Sequence, residues 1–257
     1  MSMCSGRAFY REVNIQMEKL YKTDILLTTN NCDMAGRWKP SAIMDAMQEA
    51  AGRHGELLGF GRKDLAPMGI VWVITRLEVM LDRIPTIGET VRLETFPTAV
   101  RRWFFPRYYV FKAQDGEVLG RAATLWVVMD WRTRRMASPD GIKHLLPDNS
   151  DLPVPMGLPS PVTDVDGRLT QGEYHPVYSD LDVNGHVNNT RYMDLCCNAL
   201  GIDLLRERAM TRFMLTFDRE IRPEQTVTTE LRLLDGAFTF SGREGDTRFF
   251  EVGGQLA

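Results

Sequence analysis

Cysteine is scarce in this chain. There are four in 257 residues (Cys4, Cys32, Cys196 and Cys197), and none forms a Cys-x-x-Cys pair. In a chain of this size they read as free thiols of a reducing compartment, so a cytoplasmic setting is expected. Histidine is equally scarce, also four; His54, His144 and His175 have no metal-ligand spacing and read as packing or surface residues. No metal or other cofactor is implied. Long apolar runs are missing: a membrane-spanning helix needs roughly 18 residues, and the longest runs resemble Ile70-Val71-Trp72-Val73-Ile74. Residues 1–22 carry charged and polar groups throughout, without the apolar centre of a signal peptide. Excess positive charge is missing too. Lys and Arg number 31 against 34 Asp and Glu, a net charge of −3, which excludes a polybasic nucleic-acid binder as the default. What remains, 44% apolar and 25% charged residues, is ordinary globular composition and not that of a disordered chain.

Length alone allows one large domain or two small ones. Proline decides between them. Six prolines fall from Pro139 to Pro161, most of them in the run that starts at Pro147. Proline fixes φ, removes a donor and disfavours helix in the residue before it, so this stretch reads as extended linker. The expected division is an N-terminal unit over residues 15–146, a Pro-rich linker over 147–170 and a C-terminal unit over 171–257.

The two units repeat. Asp33-Met-Ala-Gly-Arg-Trp-Lys-Pro-Ser-Ala-Ile-Met-Asp45 aligns without a gap on Asp182-Val-Asn-Gly-His-Val-Asn-Asn-Thr-Arg-Tyr-Met-Asp194. Farther on, Leu77-Glu-Val-Met-Leu-Asp-Arg83 matches Phe213-Met-Leu-Thr-Phe-Asp-Arg219, and Thr90-Val91 matches Thr226-Val227 in the same register. Two matches in the same order on either side of a linker point to duplication.

The hydrophobic periods agree with this. Ile43, Met44, Met47, Ala50, Ala51, Leu57 and Leu58 follow helical spacing after Pro40-Ser41, as do Met193, Cys196, Cys197, Leu200 and Leu204 in the second unit. Ser41, and Thr190 or Asn189, are the expected N-caps. Strands are expected at Val71 to Leu81, residues 117–131, Phe213 to Phe217 and residues 226–234, with hairpin-type turns at Asp115-Gly116 and Asp235-Gly236. Each unit is then one long central helix followed by antiparallel strands that wrap it, an α+β class, and two such units can pair their sheets. A dinucleotide-binding reading of Gly59-Phe-Gly61 fails, because the third glycine position is Asp64 and no strand precedes it.

Only one stretch is dense in chemically able residues: Tyr178-Ser-Asp-Leu-Asp-Val-Asn-Gly-His-Val-Asn-Asn-Thr-Arg-Tyr192. If the segment is extended, alternation puts Asp182, Asn184 and His186 on one side. The helix start beside them offers N–H groups and a positive dipole for an oxygen gaining charge, and an Asn side chain adds a donor. A His and a carboxylate can move protons near neutral pH. Asp, Asn and Gly also build turns and caps for purely local reasons. The repeat separates the two readings. The first copy keeps Asp33 and Gly36 but has Ala35 and Arg37 where the second has Asn184 and His186. The turn therefore survives without Asn and His, and their presence in one copy marks a site the other lacks. Glu220, beside Arg219 and Arg222, likewise has Ile84 as its register partner.

The segment Asp-Leu-Asp-Val-Asn-Gly-His-Val-Asn-Asn-x-x-Tyr resembles the signature of the acyl-acyl-carrier-protein thioesterases, fatty-acyl hydrolases with tandem hotdog domains. Similar blocks are Val71-Trp-Val-Ile-Thr-Arg76, Pro85-x-x-Gly-Glu-x-Val91, Arg101-Arg102, Ala122-x-Thr-Leu-Trp-Val-Val-Met-Asp130 and Phe217-Asp-Arg-Glu-Ile-Arg-Pro223. The resemblance runs in order from about residue 20 to 235. It implies a tandem hotdog fold and a catalytic set on Asp182, Asn184, His186 and Glu220, with Glu220 or Asp182 as base or nucleophile. The position after the Glu, a Cys in many plant members, is Ile221 here, which excludes a Cys–His mechanism at that place. Cys196 and Cys197 sit at apolar helical spacing and read as core.

The resemblance further implies hydrolysis of acyl thioesters carried on the phosphopantetheine of an acidic acyl-carrier protein, ending chain elongation. Met44, Met47, Trp72 and Ile74 become candidate walls of an acyl tunnel in the first unit. At net charge −3 an acidic carrier needs a local basic patch, for which Arg101, Arg102, Arg107, Arg132, Arg134 and Arg135 are candidates. Neither acyl length, nor attack by water against an acyl-enzyme, nor homodimerisation is legible. A hotdog acyl-CoA thioesterase, a hotdog hydratase or dehydratase, and an acyl-binding protein without turnover stay open beside the main reading.

Overall fold

The computed structural model describes residues 19–257. Cys4 and most of the polar N-terminal stretch lie outside them. The elements in chain order are β1 (Tyr21–Leu26), α1 (Pro40–Leu57), α2 (Arg62–Leu65), β2 (Ile70–Leu81), β3 (Thr90–Pro97), β4 (Phe105–Lys112), β5 (Val118–Asp130), β6 (Arg135–Met136), β7 (Arg168–Tyr174), α3 (Arg191–Leu200), α4 (Ile202–Glu207), β8 (Met210–Phe217), β9 (Val227–Leu234), β10 (Ala237–Glu244) and β11 (Thr247–Leu256).

Among the described residues eleven strands form one antiparallel sheet in the order β1-β3-β4-β5-β2-β8-β11-β10-β9-β7, with β6 paired to β5. The order is a mirror image about its centre: the first five positions repeat, reversed, in the last five. The seam joins β2 to β8, the two strands that the sequence repeat had matched, with Leu77 opposite Leu215 and Val79 opposite Phe213. Each copy exposes the same strand edge, and pairing the two edges removes both from solvent.

The hairpins follow from local sequence. Asp235 and Gly236 both adopt positive φ, 50° and 88°, as the two-residue turn between β9 and β10 requires. Asp115 and Gly116 close the β4–β5 hairpin.

One face of the sheet carries the helices. Ile43, Met44, Met47 and Ala50 from α1 meet Met193 and Cys196 from α3 and the inward residues Leu77, Val79, Leu93, Phe111, Phe213, Leu215 and Phe250 in one buried cluster. Fully burying side chains of this size contributes roughly 1.5–3 kcal/mol each. A second, smaller cluster gathers Leu58, Phe60, Leu65, Phe105, Val128 and Ile142, with Trp72 against it.

The proline-rich stretch crosses the opposite face. Leu152, Met156 and Leu158 pack on Phe96, Tyr108 and Ala123. Asn149 donates to the Pro97 carbonyl at 2.8 Å, and the Ser160 amide donates to Glu78 at 2.9 Å. The linker is thus a strap laid across the strands from one half-sheet toward the other.

The tandem α+β architecture is as expected, with four local differences. Ser41 does not cap α1: Lys39 holds the N-cap position without a side-chain bond, Pro40 begins the helix, and Ser41 is buried inside it. Pro fits the first helical position because its missing N–H has no partner to lose there. Thr190 holds the N-cap position of α3 but its side chain does not cap; the Asn188 side chain accepts from the Thr190 amide instead. The second helix is not continuous. Gly201, at φ 91°, ends α3 and starts α4, a break that the apolar spacing through Leu204 conceals. Finally, β7 starts at Arg168, inside the last residues of the expected linker.

Candidate active site

The duplicated turn repeats most of its bonds in both copies, although the Arg37 amide also donates to Asp33 Oδ1 in the first. The Asp33 amide donates to the Arg37 carbonyl, and the Asp182 amide to the His186 carbonyl. Gly36 and Gly185 return bonds to the carbonyls of Asp33 and Asp182, at φ 75° and 78°. Asp33 Oδ1 accepts from the Ala35 amide at 2.9 Å, as Asp182 Oδ1 does from the Asn184 amide at 2.8 Å. The Trp38 amide donates to Pro85, and its counterpart Val187 donates to Ile221. Asp and Gly are needed for the turn in either copy, an acceptor for the amides and a residue that tolerates positive φ.

The side chains then diverge. In the first copy Arg37 stands where His186 stands in the second. Its guanidinium holds Asp33 Oδ2 and donates to the Leu205 carbonyl at the end of α4, so this turn has become a brace between the halves. Among the described residues the turn of the second copy has no such brace. Asn184 Nδ2 donates to Asp182 Oδ2 at 3.1 Å, and the rest of the amide faces solvent. His186 Nδ1 lies 3.3 Å from the Val187 carbonyl oxygen and 3.6 Å from Asp182 Oδ2. Both neighbours are acceptors, so the neutral imidazole carries its proton on Nδ1 and leaves the Nε2 lone pair for chemistry. A tight turn, not strand alternation, brings Asp182, Asn184 and His186 together.

Glu220 enters from the loop after β8, held beside the turn by the bond from Val187 to Ile221. Arg222 Nε and Nη2 contact Glu220 Oε1 at 3.2 and 3.1 Å, and Arg134 pairs with Oε2. Burial works to raise this carboxyl, but the hydrogen bond and charge of Arg134, with Arg222 and the His186 ring, outweigh it and hold Glu220 below the ordinary carboxylate range. Tyr192, the last residue of the signature, is fully buried and stacked on Phe250 at 4.5 Å; burial raises its phenol far above the usual range, and the charges of Glu220 and Asp182 add to this.

The start of α3 differs from expectation. The amides of Thr190, Arg191 and Met193 are already taken by the Asn188 side chain and by the carbonyls of Asn188 and Thr190. The exposed Asn184 side chain, whose Nδ2 has a second hydrogen beside the one given to Asp182, is a donor available to a substrate oxygen. Cys196 is core, as expected, and Cys197 packs half-buried against it; burial pushes the Cys196 thiol well up and that of Cys197 to about 12, so neither supplies a thiolate near neutral pH. Ile221 is fully buried.

The tunnel candidates divide between the two apolar clusters. Met44, Met47 and Ile74 belong to the large one, whereas Trp72 packs edge-on against Phe60 and Phe105 and donates to the Phe60 carbonyl. Of the basic candidates, Arg101, Arg102, Arg132, Arg134 and Arg135 are exposed. Arg107 is not: it is buried against His54 Nδ1 and Thr95, which removes it from any docking surface. Arg134, though exposed, also pairs with Glu220, a contact with no signal in sequence because the partners sit in different copies. Among the described residues no group of His, Cys, Asp and Glu is arranged to hold a metal ion, and no helix is long and apolar enough to cross a membrane.

Two family models match the chain, the acyl-ACP thioesterase N-terminal domain over residues 18–142 and the C-terminal domain over residues 164–244. A palmitoyl-acyl carrier protein thioesterase, chloroplastic, from Gossypium hirsutum is 30% identical over 192 residues, 69% of this chain and 46% of the relative. A dodecanoyl-[acyl-carrier-protein] hydrolase, chloroplastic, from Cinnamomum camphora is 28% identical over 211 residues, 73% of this chain and 53% of the relative. The chain spans about half the length of these curated relatives. In fold it is similar to an acyl-ACP thioesterase from Bacteroides thetaiotaomicron, with a TM-score of 0.84 at 23% identity over 93% of this chain and 98% of that one. It is also similar to the 12:0-ACP thioesterase from Umbellularia californica, at 0.78 and 22% over 93% and 97%.

Proposed function

The chain belongs to the acyl-ACP thioesterase family, and from that premise we propose that it hydrolyses acyl-acyl-carrier-protein thioesters to a free fatty acid and the carrier's free thiol. One observation carries the reading. The same turn is built twice, and only the copy with Asn184 and His186 has a carboxylate, Glu220, where the other has Ile84.

The geometry suits attack by water. His186 Nε2 accepts a proton from water as the oxygen bonds to the thioester carbon. The Val187 carbonyl accepts from Nδ1–H and orients the ring, and the Asp182 carboxylate 3.6 Å from Nδ1 stabilises the imidazolium that forms. Asn184 supplies an N–H to the carbonyl oxygen as it gains charge. When the tetrahedral species collapses, the C–S bond breaks and the imidazolium returns the proton to the sulfur. Glu220, held ionised beside the ring, adds negative charge that favours the imidazolium and offers an acceptor to the incoming water.

The acyl chain is proposed to lie along the first half, with Met44, Met47, Ile74 and Trp72 as walls. The exposed Arg101, Arg102, Arg132 and Arg135 are proposed to meet the acidic carrier. The buried free thiols Cys32 and Cys196 suit a reducing, cytoplasmic setting. The test is release of free acid from acyl-carrier-protein and acyl-CoA substrates of matched chain. Asp182→Asn, His186→Ala and Glu220→Gln should each lose most turnover while keeping the wild-type circular dichroism. Full activity in all three variants would end the assignment, and preference for the CoA substrate would move it to an acyl-CoA thioesterase.

A further inference from the structure

The second-half site is completed by the first half. The turn between β5 and β6 belongs to the N-terminal copy, and its path is fixed. Asp130 Oδ1 accepts from the amides of Arg132 and Thr133 at 2.9 and 2.8 Å, and the Arg134 amide donates to the Asp130 carbonyl at 2.9 Å. Arg134 itself sits at φ 57°, a left-handed conformation that a non-glycine residue adopts only when its surroundings impose it. That conformation directs one arginine of the turn differently from its neighbours. Arg132 lies over the exposed Trp131 ring at 5.2 Å, whereas Arg134 meets Glu220.

Glu220 is thereby held at both oxygens, Oε1 by Arg222 of its own loop and Oε2 by Arg134 of the other copy. We propose that Arg134 is a positioning residue for the reaction, supplied by the first half to fix the Glu220 carboxylate beside His186. The proposal rests on the thioesterase reading above. Arg222 alone leaves Oε2 free to rotate, and a carboxylate displaced by about 1 Å from the reacting water costs up to roughly 100-fold in rate. The charged groups that act on Glu220 are Arg134, Arg222 and His186, and Tyr192 of α3 lies within its field. With Arg134 gone, burial is opposed only by Arg222 and His186, so the Glu220 carboxyl rises.

The test uses the full chain with an acyl-CoA, which has no carrier protein to dock, beside the matched acyl-carrier protein. Arg134→Ala should lower kcat roughly 10- to 100-fold on both substrates, shift the acid limb of kcat/KM to higher pH and raise the Glu220 titration seen by carboxyl NMR. Arg134→Lys, which keeps the charge, should restore the titration and part of kcat. A docking arginine behaves otherwise: KM rises for the carrier-protein substrate alone, with kcat, pH profile and titration unchanged. That result, or a faster Arg134→Ala enzyme, overturns the proposal. Absence of turnover by the wild-type chain on both thioesters instead refutes the thioesterase reading, and an unmoved Glu220 titration still separately refutes the Arg134 contact.

Discussion

Replacing Arg212 by Met should weaken the seam between the two copies by an amount the structure bounds. Glu78 on β2 is 3% exposed and lies in the register where β2 and β8 meet. Arg212 Nε and Nη2 donate to its Oε1 at 3.0 and 2.7 Å, and the Ser160 amide of the strap donates to Oε2 at 2.9 Å. Hydrogen bonds to charged groups contribute about 1.5–3 kcal/mol each, and removing one partner of a buried pair leaves the other's desolvation uncompensated. The Arg212 side chain is 43% exposed, so water takes over part of its role. The two bonds share one oxygen and do not add fully. The expected loss is about 2–3 kcal/mol, which at roughly 2–4 °C per kcal/mol for a chain of this size lowers Tm by about 5–10 °C. Urea unfolding followed by tryptophan fluorescence measures it. Glu78→Met/Arg212→Met should recover at least half of the loss, because the buried charge leaves with its partner. The reasoning fails if Arg212→Met lies within about 0.5 kcal/mol of wild type, the size of an ordinary surface substitution.

Alkylation at pH 7–8 should leave turnover intact, because the thiols of Cys196 and Cys197 stay protonated there; rapid inactivation by iodoacetamide, lost in Cys197→Ser, would show a reactive thiolate. Added salt should raise KM for acyl-carrier-protein substrates and leave KM for a neutral short-chain thioester unchanged, since exposed charges more than about 8–10 Å apart are screened at physiological ionic strength. A KM for the carrier substrate that does not respond to salt would place docking on a surface other than the exposed arginines.

Much of the fold was legible where one short-range rule governed. The spacing of Met44 and Met47 marked α1, the β-branched run at Ile70 marked β2, and Asp235-Gly236 marked a hairpin whose two positive φ values suit that pair. The duplication was legible because the turn at Asp33 and that at Asp182 need the same residues for the same bonds. Rules of short range failed where geometry was decided elsewhere. Apolar spacing continues through Gly201, so the break between α3 and α4 is invisible to periodicity. Proline content marked residues 147–170 as extended linker but not as a strap, which depends on Leu152, Met156 and Leu158 finding an apolar outer face. Within the candidate site, Asp182, Asn184 and His186 were readable because one turn holds all three. The pairing of Arg134 with Glu220 was not, because sheet closure across the seam creates it. For the same reason Arg107, a surface candidate in sequence, proves to be buried beneath α1 beside His54.

The central claim is that the second copy of the turn performs thioester hydrolysis and the first does not. Its most direct test is a panel of acyl-acyl-carrier proteins of varied chain length, with released fatty acid and carrier thiol quantified for wild type and Glu220→Gln. The account predicts equal amounts of acid and thiol from the wild-type chain and at most a small residue from the variant. Undiminished release by Glu220→Gln, or none by the wild-type chain on any member of the panel, would contradict it.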